Sequence, residues 1–341
     1  MALKTSVHFC YPENSSFRSW ERETLPNLKR EFFEFEVDQK FSWADSPDDA
    51  SIIVLLESNT FKSRDHIRNL ENEPLLNRFP DRVFTYNYED HPPGFIDGVY
   101  AQMPHSRFEP SRHRCTNIIF QHNQLIYDLR DRDSTQKSPS LLFSFRGALS
   151  HPIRREMIDV CKRDDRPHAL TIINSWYNHS DEEKDTFVQE LLNTKFILCP
   201  RGLAPYSNRM GEAMAAGRVP IIIADDFEEF SGVDMAQFSL KLKEAEIKRL
   251  PDLMIEYESR AKDMGLIARQ IWTAKFGRGK RIINLLDQLV DLRDKRQVTV
   301  DMDYYRSRWN SSAFRKANGW TLPQRIARKI KRMRDRLTPN E

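Results

Sequence analysis

The clearest pattern of apolar and polar positions lies between residues 195 and 226. Two apolar runs, 196–199 and 219–224, have the length and the β-branched content of buried strands. The residues between them, 206–216, read as a helix, and Gly217 stands at its end, where glycine is common. The segment therefore predicts a strand, a loop, a helix and a second strand, which is the crossover unit of a parallel sheet.

Similar alternation runs through the rest of the chain. Other strand-like runs are 5–10, 51–56, 82–86, 117–120, 141–145, 169–173 and 238–242. Helical stretches are 18–33, 64–72, a helix after Pro152, 181–193, 244–258 and 259–292. Repeated alternation of strands and helices favours an α/β fold with helices on both faces of parallel sheets.

The polar, charged stretch 128–139 interrupts this alternation and predicts a domain boundary. We expect an N-terminal Rossmann-like domain over 1–135 and a C-terminal Rossmann-like domain over 136–300. A basic helical extension over 301–341 follows them.

The composition narrows the class of protein. A hydrophobic content of 39% and 341 residues indicate an ordinary globular protein with two cores. The net charge of +3 comes from 53 basic and 50 acidic residues, so the balance implies no nucleic-acid partner. The four cysteines are widely spaced, which predicts reduced thiols and no cysteine-based zinc site. No apolar run approaches the roughly 18 residues of a membrane helix, and the start is too short and polar for a signal peptide. The expected location is cytoplasmic.

Polar residues gather where the predicted crossover turns from strand to helix. Arg201, Ser207 and Arg209 lie at the expected start of the helix, and ligands of open parallel sheets bind at that edge. Two arginines and a serine suit a diphosphate, and Glu212 suits ribose hydroxyls. Gly202 would permit close approach of a ligand or, alternatively, would merely end the strand.

The residues around the predicted crossover resemble those of a known protein family. The run 195–226 is similar to the donor-binding signature of the exostosin family, glycosyltransferase family 47. That signature joins Cys-Pro-Arg-Gly to a Ser-x-Arg-x-x-Glu-Ala helix, a small-residue Gly, Pro and an apolar strand. Phe-Ser-Phe-Arg-Gly at 143–147, followed by Arg154, resembles the element that starts the family's donor domain. Leu-Pro at 250–251 resembles its closing segment, and the similarity covers residues 140–290.

The resemblance implies a GT-B fold, in which two Rossmann-like domains face each other across a cleft. It also implies an inverting hexosyl- or glycuronosyltransferase that uses a nucleotide sugar, most often UDP-linked, and an oligosaccharide, polysaccharide or glycoconjugate acceptor. Arg146, Arg201, Ser207 and Arg209 would then meet the diphosphate, and Glu212 the ribose. Many eukaryotic members carry a membrane anchor and lumenal disulfides. Neither is seen in this sequence, so we expect an enzyme that looks more like a bacterial or viral polysaccharide enzyme. The alternative is a non-catalytic protein of the same fold that binds carbohydrate or a nucleotide sugar.

Arginine is chemically suited to the departing diphosphate, because negative charge grows there as the sugar leaves. Its planar fork pairs with phosphate oxygens and stays charged. A metal ion held by Asp-x-Asp could act instead, but the pairs at 131/133 and 301/303 lie away from the expected site. We therefore predict no metal and no cofactor beyond the nucleotide-sugar substrate.

Simpler roles compete with each assignment. Arg209 and Glu212 have the spacing of a surface ion pair. Asp225 ends the second strand, where it could touch the donor sugar or, equally, cap the following helix. Arg201 could instead contact a carbonyl group of the loop. Arg146 and Arg154 could be solvated charges at the surface.

The acceptor hydroxyl needs a base, which we expect from the N-terminal domain. The segment 86–95 follows a strand and combines acids, aromatics and a histidine. Its base candidates are His91, Glu89 and Asp90, and the competing interpretation is a proline-stiffened turn with solvated acids.

The last helix of the chain, 322–337, is basic and amphipathic. Seven lysines and arginines accompany apolar residues at helical spacing. It predicts peripheral contact with the inner face of a membrane, which would suit a lipid-linked acceptor. Packing of the apolar stripe on the body of the protein is the equal alternative.

Overall fold

A computed structural model describes residues 4–13, 22–57, 69–118, 123–130, 138–173 and 179–337. The strands are β1 Thr5–Cys10, β2 Phe41–Trp43, β3 Ile52–Glu57, β4 Val83–Asn87, β5 Gly98–Tyr100, β6 His113–Cys115, β7 Leu141–Gly147, β8 His168–Ile172, β9 Thr194–Pro200, β10 Val219–Ile223 and β11 Leu240–Leu242. The helices are α1 Thr24–Glu34, α2 Pro74–Arg78, α3 Pro152–Cys161, α4 Asp181–Leu192, α5 Arg209–Ala215, α6 Leu250–Tyr257, α7 Ala261–Ile271, α8 Lys280–Asp294, α9 Met302–Asn310, α10 Ser312–Ala317 and α11 Leu322–Leu337.

The strands form two parallel sheets. The first has the order β2-β1-β3-β4-β5-β6 and the second β11-β10-β9-β7-β8, and the paired strands within each run in the same direction. Strands β3, β4 and β10 are buried along their whole length, and β9 is buried at every position except Lys195, as the continuous apolar runs predict for sheets covered on both faces. The expected α/β fold with two Rossmann-like units is confirmed.

Each sheet carries apolar side chains on both faces. In the first sheet, Val7 and Phe9 pack into one buried cluster while Ile53 and Leu55 pack into another. In the second sheet, Ile197 and the residues of α5 form one cluster, and Phe196 with its neighbours forms the opposite one. The helices therefore cover both faces of both sheets.

The packing differs from the predicted division of the chain at two places. Helix α8, which the prediction placed in the second unit, buries Ile282, Leu285 and Leu289 against the first sheet. Conversely, Ile126 and Leu129, which the prediction placed in the first unit, pack in the cluster of the second sheet. The amphipathic pattern of each segment shows that it has a buried face, but it does not say which sheet receives that face. Helices α9 and α10 also return to the first sheet.

Several predicted elements have different bounds. The edge strand of the first sheet is β6 rather than 117–120, and of the latter only 117–118 lie within the described residues. The helix predicted over 259–292 is interrupted at Gly277–Gly279, where Gly279 has a φ of +69°. Parts of the predicted stretches 18–33, 64–72 and 128–139 lie outside the described residues.

The four cysteines are unpaired, as the sequence predicted. Burial raises the pKa of Cys10 and that of Cys161 to about 12, so both thiols stay protonated near neutral pH.

Candidate functional site

Four arginines lie at the carboxyl edge of the second sheet. Strands β7 and β9 are neighbours and parallel, so their carboxyl ends meet at one edge. Arg146 belongs to the end of β7, Arg201 directly follows β9, and Arg209 begins α5. The fourth, Arg154, reaches the same place from α3. The crossover predicted from the sequence thus brings these charges together, although α5 starts three residues later than predicted.

Arg154 joins the two loops at this edge. Its Nη1 donates to the carbonyl of Ala148 at 2.6 Å, Nε donates to that of Arg201 at 2.9 Å, and Nη2 donates to that of Pro200 at 3.3 Å. Burial, followed by the positive charge of Arg209, lowers the pKa of Arg154 to about 10. The guanidinium therefore remains charged at neutral pH, and its donors position the backbone on which Arg201 stands.

Arg209 is held by contacts on three sides. Its Nε donates to the carbonyl of Arg146 at 2.8 Å, its Nη1 pairs with Glu212, and its guanidinium lies 4.4 Å from the centre of the Phe187 ring. The side chains of Arg209 and Glu212 are 22% and 8% exposed. The ion pair that the spacing allowed is present, but it lies within the arginine cluster rather than on an open surface.

Arg146 is paired with a carboxylate that the sequence did not single out. Its Nε and Nη2 donate to one oxygen of Glu190 at 3.0 and 2.7 Å. Burial raises the pKa of Glu190, against the opposing effect of Arg146. Glu190 lies in the last turn of the predicted helix α4, one turn after Phe187, and only the packing of that helix reveals its role.

Arg201 makes the longest contacts of the four. Its Nη1 lies 3.6 Å from Glu244, and its other nitrogens reach the carbonyls of Gly202 at 3.5 Å and Leu203 at 3.3 Å. The neighbouring Gly202 does permit a close approach, but the group that approaches is Arg154. A Cβ at this position would stand 3.0 Å from Nη2 of Arg154.

His151 belongs to the same edge and was missed in the sequence. It precedes Pro152 at the start of α3, and its Nδ1 accepts from the amide of Ile153 at 3.4 Å. Burial and then the charge of Arg201 lower its pKa, so the ring is neutral at pH 7. A His-Pro pair that opens a helix directly after a strand was the available signal.

The remaining predicted ligands, Ser207 and Asp225, lie at the same edge of the second sheet. Ser207 is buried in the loop before α5. Asp225 accepts from the amide of Glu244 at 2.9 Å, beside the start of the 3₁₀ helix Glu244–Arg249, whose N-cap residue is Lys243. Contact of Asp225 with the donor sugar stays a prediction.

The two sheets meet beside this site. The carboxylate of Asp226 accepts from the amide and the hydroxyl of Ser106 at 2.7 and 2.8 Å. His105 reaches Glu228 at 2.6 Å, and Cys115 exchanges hydrogen bonds with Ser231 at 2.8 Å. The loop after β10 therefore ties the second unit to the first.

We expect Asp226→Ala to loosen this contact and lower the free energy of unfolding by about 1–2 kcal/mol, because two hydrogen bonds to a charged acceptor are lost at a partly exposed site. Urea denaturation measures the change. In the Asp226→Ala background, Ser106→Ala should add almost nothing, since the hydroxyl has already lost its acceptor. A full additional cost would show that the two residues act independently.

The three base candidates lie in the loop after β4. Glu89 is buried and its amide donates to the side chain of Asn87 at 3.0 Å. Asp90 is half-buried, His91 is exposed, and the carbonyl of His91 accepts from Arg107 at 3.3 Å. All three follow the carboxyl end of a strand, as predicted, and they stay candidates.

The aspartate pair that the structure describes, Asp301 and Asp303, has structural contacts at helix α9. Asp301 caps α9 by accepting from the amide of Tyr304 at 2.8 Å, and Asp303 lies 3.5 Å from Arg306. Asp131 and Asp133 fall outside the described residues.

In the part of the chain that the structure describes, no helix has the length and apolar character needed to cross a membrane.

The segment that contains the four arginines is similar to known proteins. Residues 118–256 match the model of the Exostosin GT47 domain, and the predicted resemblance is confirmed for that segment. A probable glucuronosyltransferase of Oryza sativa subsp. japonica is 31% identical over 83 residues, or 24% of this chain and 20% of the relative. A probable beta-1,4-xylosyltransferase of Arabidopsis thaliana is 42% identical over 53 residues, or 16% of this chain and 13% of the relative. The matched segments thus span a fifth or less of these relatives.

Solved structures give weaker likenesses. A glycosyltransferase from Rickettsia africae has a TM-score of 0.43 and 10% identity, covering 87% of this chain and 100% of that one. Anabaena HepE, solved in complex with UDP, has a TM-score of 0.41 and 10% identity, covering 85% of this chain and 100% of that one.

Proposed function

From the Exostosin GT47 domain that residues 118–256 match, we propose that this chain is a glycosyltransferase that moves a sugar from a nucleotide-sugar donor to a glycan acceptor. The relatives' names suggest glucuronic acid and xylose as the first donor sugars to test. We propose UDP as the carrier, because the family that the sequence resembles mostly uses it. We further propose that the reaction inverts the anomeric carbon and needs no metal ion.

One observation supports the donor site above all others: four arginines meet at the carboxyl edge of β7 and β9. Arg154 touches the backbone of Arg201, and Arg209 touches the backbone of Arg146. Had Arg201 and Arg209 faced opposite sides of the molecule, a shared diphosphate site would have been impossible. Their convergence on one edge fits the place where parallel sheets bind nucleotides.

The charges of the cluster favour an anion. The four arginines have three carboxylate neighbours, Glu190, Glu212 and Glu244, among the described residues. Arg154 therefore has no carboxylate within ion-pair distance among the described residues. Arg201 makes the longest contacts, so it is best placed to turn toward a phosphate. Fixed cations at the leaving group stabilise the transition state more than the ground state, because the negative charge on the diphosphate grows as the sugar departs.

The acceptor would enter from the first unit. We propose that one of Glu89, Asp90 and His91 removes the proton of the acceptor hydroxyl as the sugar bond forms. The oxygen attacks the anomeric carbon from the face opposite the diphosphate, so the product has the inverted configuration. The nucleoside diphosphate leaves with the electron pair of the broken bond.

Arg201→Ala tests the donor site. With a panel of UDP-sugars beginning with UDP-glucuronic acid and UDP-xylose, we expect about a tenfold or larger rise in the KM for the donor, the cost of one charge-assisted hydrogen bond. Calorimetry with UDP should show the same loss of affinity. Arg155→Ala is the matched control, since this exposed arginine neighbours Arg154 on α3, and it should change neither value more than twofold.

Three outcomes would contradict parts of the proposed function. Equal UDP affinity in wild type and Arg201→Ala would remove this arginine from the donor site. UDP binding without product from a broad acceptor panel would favour the non-catalytic binding protein. Loss of turnover in EDTA would contradict metal independence, and NMR of the product decides between inversion and retention.

A further inference from the structure

The C-terminal helix α11 has an exposed apolar stripe. Leu322, Ile326, Ile330 and Met333 recur at intervals of three or four residues and therefore share one face. Between 51% and 66% of each of these side chains is exposed. The alternative left open by the sequence, that the stripe packs on the body of the protein, is wrong for Ile326, Ile330 and Met333. The fourth residue of the predicted stripe, Leu337, lies outside the described side chains.

The same helix is strongly basic. Of its 16 residues seven are lysine or arginine and one, Asp335, is acidic, which gives a formal charge of +6. Arg325 and Lys329 are exposed together with the stripe. Because the whole chain carries only +3, this single helix holds more positive charge than the net charge of the protein.

The helix begins at a firmly packed segment. The Trp320 ring lies 5.7 Å from that of Phe95, Asn318 donates to the carbonyl of Pro93 at 3.2 Å, and Thr321 donates to Gln324 at 2.5 Å. A cavity of about 370 Å³ opens beside this start, and Arg315, Trp320, Thr321 and Arg325 are among its lining residues. The segment that leads into α11 is thus fixed to the loop that continues from the base candidates.

From the exposed stripe, the charge and this anchorage, we propose that α11 binds the surface of an anionic phospholipid bilayer. Its apolar side chains would enter the boundary between headgroups and acyl chains, and its cations would meet the lipid phosphates. Two arginines, a hydroxyl and an indole in the neighbouring cavity suit one phosphate headgroup. Nucleic acid would use the charge but gives no reason for an aliphatic stripe, and a second copy of the helix would bring +6 against +6.

Membrane binding through α11 would give the proposed transferase a place of action. Because α11 starts beside the loop 91–95, the bilayer would lie on the side of the unit from which the acceptor enters. A lipid-linked glycan would then reach the site without leaving the membrane. The membrane contact itself does not depend on the transferase proposal.

Vesicle flotation tests the contact. Full-length protein should float with phosphatidylcholine vesicles that contain 30% phosphatidylserine, should float at least tenfold less with pure phosphatidylcholine, and should lose binding in 0.5 M salt. Ile326→Asn/Ile330→Asn should lower binding at least tenfold, and Arg325→Glu/Lys329→Glu should do the same. Ile255→Asn, which changes an equally exposed isoleucine on α6, should bind like wild type.

Three outcomes would overturn the proposal. They are equal binding to both vesicle types, unchanged binding in the stripe variant, and binding of a single-stranded RNA in place of vesicles. Since the substitutions lie outside the arginine cluster, UDP affinity and turnover of a soluble acceptor should stay unchanged in all variants. Failure of the membrane contact is thereby distinguishable from failure of the transferase proposal.

Discussion

Arg209→Ala should lower kcat/KM for the nucleotide-sugar donor by about 100-fold or more, in the range found when one charge-stabilising donor is removed from an active site. Arg209 contacts Arg146, Glu212 and Phe187, so its guanidinium has a defined position before any ligand binds. A preorganised cation needs no rearrangement when negative charge develops beside it. Steady-state kinetics with the preferred UDP-sugar measure the loss.

A structural effect must be separated from this one. Removing Arg209 leaves the Glu212 carboxylate, 8% exposed, without its cation, and this should lower the free energy of unfolding by about 2 kcal/mol. Arg209→Ala/Glu212→Ala removes both charges and should recover much of that stability. If activity returns with stability, Arg209 serves only the ion pair. Because Glu212 is itself expected to meet the ribose, Glu212→Ala alone is the control that separates its loss of activity from that of Arg209. We expect activity to stay lost, and we expect Arg249→Ala, at an exposed arginine with the same three-residue spacing to Glu246, to behave like wild type.

The crossover was predictable because its signals are local. Continuous apolar runs marked β9 and β10 to within two residues, and Gly217 ended the helix with a φ of +65°. The start of α5 was misplaced by three residues. Tyr206, predicted as helical, instead turns its hydroxyl to Asn117, 89 positions earlier in the chain. A contact with so distant a residue leaves no trace in the local pattern.

The partners of the arginines were not predictable for the same reason. Glu190 and Glu244 lie 44 and 43 positions from the arginines they face, and no spacing rule connects them. The packing of α8 on the first sheet involves a still greater separation along the chain, since Arg281 pairs with Glu31 across 250 positions. Periodicity identifies a buried face, whereas the choice of its neighbour is made by the whole fold.

The crossover also depends on a glycine whose importance the sequence did not show. Helix α7 passes directly over the turn that ends α5, and Gly265 faces the backbone of Gly217. A Cβ on Gly265 would stand 3.0 Å from the carbonyl carbon of Gly217 and closer still to its oxygen. Because the obstacle is backbone, no side chain can move aside. Either α7 or the C-terminal end of α5 must therefore shift. Arg209 lies at the N-terminal end of the same short helix.

Gly265→Ala should therefore lower the free energy of unfolding by about 3 kcal/mol or more, the upper part of the range for overpacking. The direction of the change in stability is informative, because alanine is more favourable than glycine inside a helix by about 1 kcal/mol. Without the contact to Gly217, the substitution would therefore stabilise α7. Gly277→Ala is the matched control, since its nearest neighbour would lie 3.5 Å away and its φ of −66° suits alanine. Urea denaturation should show Gly277→Ala within about 1 kcal/mol of wild type. Equal stability of the two variants would mean that α7 does not rest on the turn after α5, and the donor site would then lack the support that this packing gives it.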